Sequence, residues 1–255
     1  MDSEKKKNTV KVNVKGIKRS RTFNPEERDI ILNGIKIHYA VAGNGRPLLL
    51  IHGNGGSHKE MLGLMRLFSC EYTVYALDSR CQGKSQKTDE LSYETMTRDL
   101  KTFIDALNLY KPYVIGHSDG GIIAVMASAL FPGTLGAAVA FGANSSPEGL
   151  QNFFLAFLNL INRSKKNKLL KLMQDEPHLT TETLRGISTP ILVVAGQYDL
   201  IKYSDTAFLH ENIPGSKIAV IKGAGHGTAI VRPKIGFRIA KDFFDSLYDE
   251  KGRSE

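Results

Sequence analysis

From Arg28 to the C-terminus, short runs of aliphatic and β-branched residues alternate with longer segments of helical periodicity, and that alternation leaves few folds open. A chain ordered strand, helix, strand, helix buries both sets of apolar residues by pairing its strands in parallel and laying helices on the two faces of the sheet. "PLLLIHG", "YTVYALD", "PYVIGHS", "LGAAVAFGAN", "PILVVAGQYD" and "KIAVIKGAGHG" read as strands. "KEMLGLMRLF", "YETMTRDLKTFIDALNL", "DGGIIAVMASALF", "SDTAFLHENI" and "IGFRIAKDFFDSLY" read as helices; in the second, Met96, Leu100, Phe103, Ile104 and Leu107 fall at helical spacing. Upstream, "RDIIL" and "IKIHYAVAG" flank Asn33-Gly34, a pair that supplies the positive φ angles of a type I′ turn, so an antiparallel hairpin should open the sheet. Between about 145 and 185 the alternation breaks: "NFFLAFLNLINRSKKNKLLKLM" reads as two helices with no strand between them. The expectation is one α/β domain over 28–255. It has a mostly parallel twisted sheet, an antiparallel N-terminal hairpin, helices on both faces and a short helical lid over about 145–185.

Composition narrows the class further. A chain of 255 residues suits one larger domain with a modest insertion, and 42% hydrophobic with 24% charged residues excludes a disordered or collagen-like chain. No apolar run reaches the length of a membrane span, and "MDSEKKKNTVKVNVKGIKRSR" lacks the apolar core of a signal peptide, so a cytoplasmic protein without membrane insertion is expected. Residues 1–28 hold nine Lys or Arg against four acids, which accounts for +5 of the net +8. Residues 1–27 therefore read as a basic extension, with Val10, Val12 and Val14 alternating as in an edge strand. Without interleaved aromatics or a recognition motif, nucleic-acid binding is not expected. Cys70 and Cys81 are too few for a disulfide scaffold or a Cys-based metal site.

The chemistry starts at "GHSDGG", where a hydrophobic strand runs into Ser118 and a helix begins within two residues. Gly116, Ser118 and Gly120 fit G-x-S-x-G, a turn that lifts a serine hydroxyl above the sheet edge at a helix N-terminus. A serine hydroxyl needs a base, and the base needs an acid to hold its tautomer. Of seven histidines, His226 sits in a Gly-rich loop directly after a strand, whereas His210 lies within a helix, His38 in the hairpin and His178 before a strand. His117 adjoins the serine and cannot readily fold back onto its hydroxyl. Asp199 ends "ILVVAGQYD", where groups of open α/β sheets collect; the other acid position considered holds the uncharged Asn144. The glycines of "IHGNGGS" let the Asn54 amide turn toward the site, and the Asp119 amide would be the second donor of an oxyanion hole.

"LLLIHGNGGS", "ALDSRCQGKS", "VIGHSDGG", "ILVVAGQYDLI" and "GAGH" fall in an order and spacing that resembles the α/β-hydrolase family from about Arg28 onward. That resemblance implies a serine-type hydrolase with Ser118, Asp199 and His226 as triad, a small-molecule ester-type substrate, and no metal or organic cofactor. One departure is Cys81, which stands at the first glycine of the family's D-x-R-G-x-G-x-S loop and should need extra room there; Asp78 and Arg80 of that loop read as structural. "GHSDGG" also resembles the elbow of valacyclovirase-type amino-ester hydrolases, which implies that Asp119 binds a substrate ammonium, the alternative being a helix cap. Phe153, Phe154 and Phe157, with Leu158 and Ile161, form an apolar lid surface suited to a substrate pocket. The reaction expected is hydrolysis of a small carboxylic ester, or a related thioester, lactone or amide, through an acyl-enzyme on Ser118. Acyl transfer or perhydrolysis from the same intermediate, and a non-catalytic binding protein on this scaffold, are the alternatives.

Overall fold

The computed structural model describes residues 23–165 and 167–251. The basic extension lies, through residue 22, outside the described residues, as does the edge strand expected around Val10–Val14. Asn33 at φ 50° and Gly34 at φ 77° occupy the two left-handed positions of the hairpin turn. They join β1 (Glu26–Leu32) to β2 (Ile35–Ala42), which pair antiparallel from Leu32 opposite Ile35 to Glu26 opposite Val41. The remaining strands are β3 (Arg46–Ile51), β4 (Tyr72–Leu77), β5 (Tyr113–His117), β6 (Ala137–Phe141), β7 (Ile191–Tyr198) and β8 (Lys217–Gly225). β2 meets β4 antiparallel, every later pairing is parallel, and the order is β1-β2-β4-β3-β5-β6-β7-β8.

The helices are α1 (His58–Phe68), α2 (Tyr93–Ala106), α3 (Asp119–Leu130), α4 (Asn152–Lys165), α5 (Lys168–Asp175), α6 (Thr181–Arg185), α7 (Tyr203–Asn212), α8 (Thr228–Val231) and α9 (Pro233–Lys251). Because a strand alternates its side chains, β3 feeds two cores at once. Leu48 and Leu50 join Met61, Met65 and Phe68 of α1 and Phe243 and Phe244 of α9. Leu49 and Ile51 join Leu100 and Phe103 of α2 and Ile123 and Val125 of α3. Both faces are covered, so the inner strands have no polar side, and each fully buried Leu or Ile contributes roughly 1.5–3 kcal/mol. Ser92 starts α2 with a capping box: its hydroxyl accepts from the Thr95 amide at 3.0 Å, and the Thr95 hydroxyl accepts from the Ser92 amide at 3.1 Å.

The lid region differs in detail from the two helices expected. A 3₁₀ turn (Pro147–Gly149) precedes α4 and α5, and the five-residue α6 follows. A helix that short shows no periodicity in sequence, and the same holds for α8. Leu150, Leu158 and Ile201, with Phe154, Leu155, Leu170 and Met173, form a third apolar cluster apart from the two sheet cores.

Cys81 sits at φ 65°, with its amide donating to the Gln86 carbonyl at 3.0 Å. A side chain in that left-handed conformation costs roughly 1–2 kcal/mol that glycine would not incur. The loop is held against it by Asp78, which accepts from the His58 and Lys84 amides at 2.5 and 2.7 Å. Arg80 forks onto Asp99 at 2.6 and 2.8 Å.

Candidate active site

β5 ends at His117 and α3 begins at Asp119, so Ser118 alone makes the turn, at φ 53° and ψ −116°. For a residue with a Cβ this is a strained conformation, costing of order 1–3 kcal/mol, and it persists because its neighbours over-determine it. The Ser118 amide donates to Phe141 O at 2.8 Å, and its carbonyl accepts from the Ile122 amide at 3.0 Å. The flanking glycines explain the motif sterically. A Cβ on Gly116 would overlap the carbonyl of Gly120, and one on Gly120 would overlap the carbonyl of Ile51. Backbone therefore packs on backbone where β3, β5 and the start of α3 meet.

His226 follows β8 directly, and its Nδ1 lies 2.6 Å from Asp199 Oδ1. Asp199 also accepts from the amides of Gly196 at 2.8 Å and Ile201 at 3.1 Å. Burial pushes the Asp199 carboxyl up, but the His226 bond and charge and the two amides outweigh it, so the group lies below its ordinary value. As a carboxylate it can only accept, which puts the imidazole proton on Nδ1 and leaves Nε2 basic. The ring rests on Gly142, where a Cβ would come within 2.8 Å of Cε1 and Nδ1.

Gly53 passes close to the serine: a Cβ on it would lie 3.1 Å from Ser118 Cβ. The next amide is that of Asn54, and the Asp119 amide is the first of α3, a position with no intrahelical acceptor. Ser118, His226, Gly53, Asn54 and Asp119 all line one cavity of about 340 Å³. Its polar end also carries Tyr93 and Glu60, and its apolar wall includes Leu150, Phe154, Phe157, Leu158 and Met173.

Residues 46–162 match the alpha/beta hydrolase fold family. The chain has the α/β-hydrolase fold. Serine hydrolase BPHL of Homo sapiens is 24% identical to it over 246 residues, 84% of each chain. Soluble epoxide hydrolase of Corynebacterium sp. is 36% identical over 95 residues, 37% of this chain and 33% of that one. Among solved structures, the meta-cleavage product hydrolase from Pseudomonas fluorescens superposes with a TM-score of 0.73 at 20% identity, over 86% of this chain and 98% of that one.

Within this fold the Asp119 side chain is buried and takes hydrogen bonds from Tyr93 Oη at 2.8 Å and Asn54 Nδ2 at 2.9 Å. These bonds run to α2 and to the loop after β3, which is not the arrangement of a simple helix cap. Burial raises the carboxyl to about 6 despite both donors. Between the ordinary 3.8 and about 6 the unfolded chain holds fewer protons than the folded one. Asp119 thus favours the fold fully below about pH 4, and that contribution is lost as pH rises past about 6. Asp119→Asn is expected to raise the unfolding free energy at pH 7 by up to about 3 kcal/mol, less whatever the Asn54 contact loses, with the gain gone at pH 4. Urea titrations at the two pH values read this directly; a gain of equal size at both would contradict it.

Two neighbours were given no place in the site by the sequence. His117, set aside as a base, accepts no such role: its Nε2 lies 3.1 Å from the His226 carbonyl, and its Nδ1 is buried without a partner. Burial, then the nearby His226, pulls it down to about 4, so no second cation stands beside His226 at neutral pH. Adjacency to Ser118 was the available signal for His117; Tyr93 had none. On the lid, Phe154, Phe157 and Leu158 line the cavity at helical spacing, but Phe153 falls off that face and is 68% exposed.

Proposed function

We propose that the chain is a serine hydrolase that cleaves a small carboxylic ester, or a related thioester, lactone or amide, through an acyl-enzyme on Ser118. The observation that carries this is a serine strained at a strand-to-helix turn, facing the same cavity as an imidazole whose proton is held on Nδ1 by Asp199. His226 Nε2 takes the hydroxyl proton as Ser118 Oγ bonds to the substrate carbonyl carbon. The resulting oxyanion is met by the Asn54 and Asp119 amides, each worth about a hundred- to a thousandfold in turnover. The bond to the leaving group breaks as His226 returns the proton to it; a water deprotonated by His226 then bonds to the acyl carbon, the carbon–Oγ bond breaks, and His226 gives its proton back to Ser118 as the acid leaves. Each step uses this chain's own groups. The name of the human relative, a serine hydrolase, agrees with this reading.

The same cavity favours a substrate with an ammonium at one end and hydrocarbon at the other. A buried carboxylate at Asp119 suits the ammonium, and Phe154, Phe157 and Leu158 suit the hydrocarbon. The test is labelling with a fluorophosphonate probe followed by assays on p-nitrophenyl acyl esters and amino-acid esters. Wild type should label and Ser118→Ala should not. Asp119→Asn should lower kcat/KM for amino esters about 10- to 100-fold, the worth of a charged hydrogen bond, relative to neutral esters. No labelling and no turnover in wild type would sink the hydrolase reading; equal loss on both ester classes would sink only the ammonium site.

A further inference from the structure

At the antiparallel edge of the sheet, β1 sets Glu27 and Asp29 beside His38 of β2, and His58, the first residue of α1, places its ring 5.1 Å from that of His38 and tilted 54° to it. None of these residues lines the catalytic cavity. His58 Nδ1 lies 2.9 Å from Asp78 Oδ1, and His38 Nδ1 lies 2.7 Å from Asp29 Oδ1. Asp78 already accepts two backbone amides, so it acts as an acceptor and the His58 proton belongs on Nδ1. Asp29, which also pairs with the Lys36 ammonium at 3.5 Å, likewise acts as an acceptor and places the His38 proton on Nδ1. Both rings then turn an Nε2 lone pair the other way, and both meet Glu27. His38 Nε2 is 3.1 Å from Oε2, and His58 Nε2 is 3.6 Å from Oε1.

A lone pair aimed at a carboxylate oxygen is two acceptors facing each other, and His58 Nε2 is buried with no hydrogen-bond partner. A cation between them resolves the conflict. Metal bonds of about 2.0–2.1 Å in a tetrahedron separate the ligand atoms by about 3.3 Å. The separations of 3.1 and 3.6 Å, to the two oxygens of the one carboxylate, lie near that value, and one ligand atom from each of Glu27, His38 and His58 lies within 4.8 Å of the others, so a small side-chain adjustment closes the set on a metal. The carboxylates behind the two rings are the outer partners that fix metal-bound histidines.

We propose that Glu27 and the Nε2 atoms of His38 and His58 form a binding site for a divalent transition metal of the Zn²⁺ type, with a fourth position left to water. Two nitrogens and one carboxylate oxygen favour Zn²⁺ or Co²⁺ over Mg²⁺ or Ca²⁺. Lys84, whose ammonium contacts Glu27 Oε2, is the competing cation, on a half-exposed and flexible side chain. A bound metal ties the edge hairpin to α1 and, through Asp78, to the loop whose Gln82 holds the Gly55 amide at 2.6 Å.

The experiment strips the full chain with a chelator and titrates it with Co²⁺ alone, reading the visible ligand-field bands of a tetrahedral site and the thermal midpoint. One Co²⁺ per chain, displaced by Zn²⁺ and raising the midpoint, is expected. Glu27→Gln and His38→Gln should each weaken binding at least tenfold, and Asp29→Asn roughly 10- to 100-fold, as for outer partners elsewhere. Lys84→Met should tighten it. His226→Ala should leave it unchanged, which separates this site from chelation beside Ser118. Glu27 is exposed, so Glu27→Gln tests the site even where His38→Gln fails to fold. Absence of the bands in wild type, bands that persist in Glu27→Gln, or bands lost in His226→Ala would each overturn the proposal.

Discussion

Replacing Ser118 with Ala is expected to lower kcat on a p-nitrophenyl ester by about a millionfold, and replacing Asp199 with Asn by about ten-thousandfold. The two numbers differ because the residues are asked for different things. Without Ser118 Oγ there is no atom to acylate, and only the amides and the cavity remain to favour the reaction over water. With Asn at 199, the serine stays, but the side chain can present an N–H to His226 Nδ1. The imidazole proton then moves to Nε2, where the base is needed. Asp199 can hold its present role across the working range because its carboxyl lies below the ordinary value. Steady-state kinetics with KM little changed in both variants would match this account. A loss under tenfold in Asp199→Asn would mean that another group orients His226.

Gly120→Ala should have the largest effect on stability, and two opposing magnitudes decide its sign. Helix propensity alone favours Ala by at most about 1 kcal/mol, the helix-interior value, since Gly120 is only the second residue of α3. The new Cβ, however, would overlap the main-chain carbonyl of Ile51 at the end of a central strand, where neither side can give. The steric term wins, and a loss above about 4 kcal/mol is expected, enough to leave little folded protein. Gly121→Ala is the internal comparison. Its Cβ would meet the side chain of Ala143 at 3.1 Å, so a loss of about 1–3 kcal/mol is expected there. Chemical denaturation of the pair measures the difference directly; equal effects would show that backbone contact at Gly120 is not the constraint.

The fold was legible because its signals are local. A buried parallel strand must be apolar on both faces, and Asn33-Gly34 names its own turn, so the sheet and the hairpin follow from short stretches. The helices α6 and α8 were not legible, because five and four residues cannot display a period of 3.6. At the site, Ser118, Asp199 and His226 stood out because each ends a strand, and strand ends of a parallel sheet share one edge. Tyr93 did not, since its contact with Asp119 joins residues 26 apart through the start of a separate helix. The side chain of Asn54 was passed over for a related reason: only its amide had been asked for, yet its Nδ2 bridges Asp119 and the Leu169 carbonyl. Phe153 shows the opposite limit. An apolar cluster in sequence says that a helix has a greasy side, but only the helix's rotation decides that Phe154 and Phe157, the latter still 54% exposed, line the cavity.

The bridge made by Asn54 has a further consequence for how a ligand gets in. Leu169 belongs to α5, and just past the end of that helix the Glu176 carboxylate receives the Tyr93 amide at 2.9 Å. The cover is therefore pinned at two points, one to the Asn54 side chain in the loop after β3 and one to the residue that braces Asp119. Lifting α5 releases both pins together, at roughly 0.5–1.5 kcal/mol each. The residues that brace Asp119 and those that hold the cover are therefore the same, so any displacement of α5 would also loosen the Asn54 and Tyr93 contacts with Asp119.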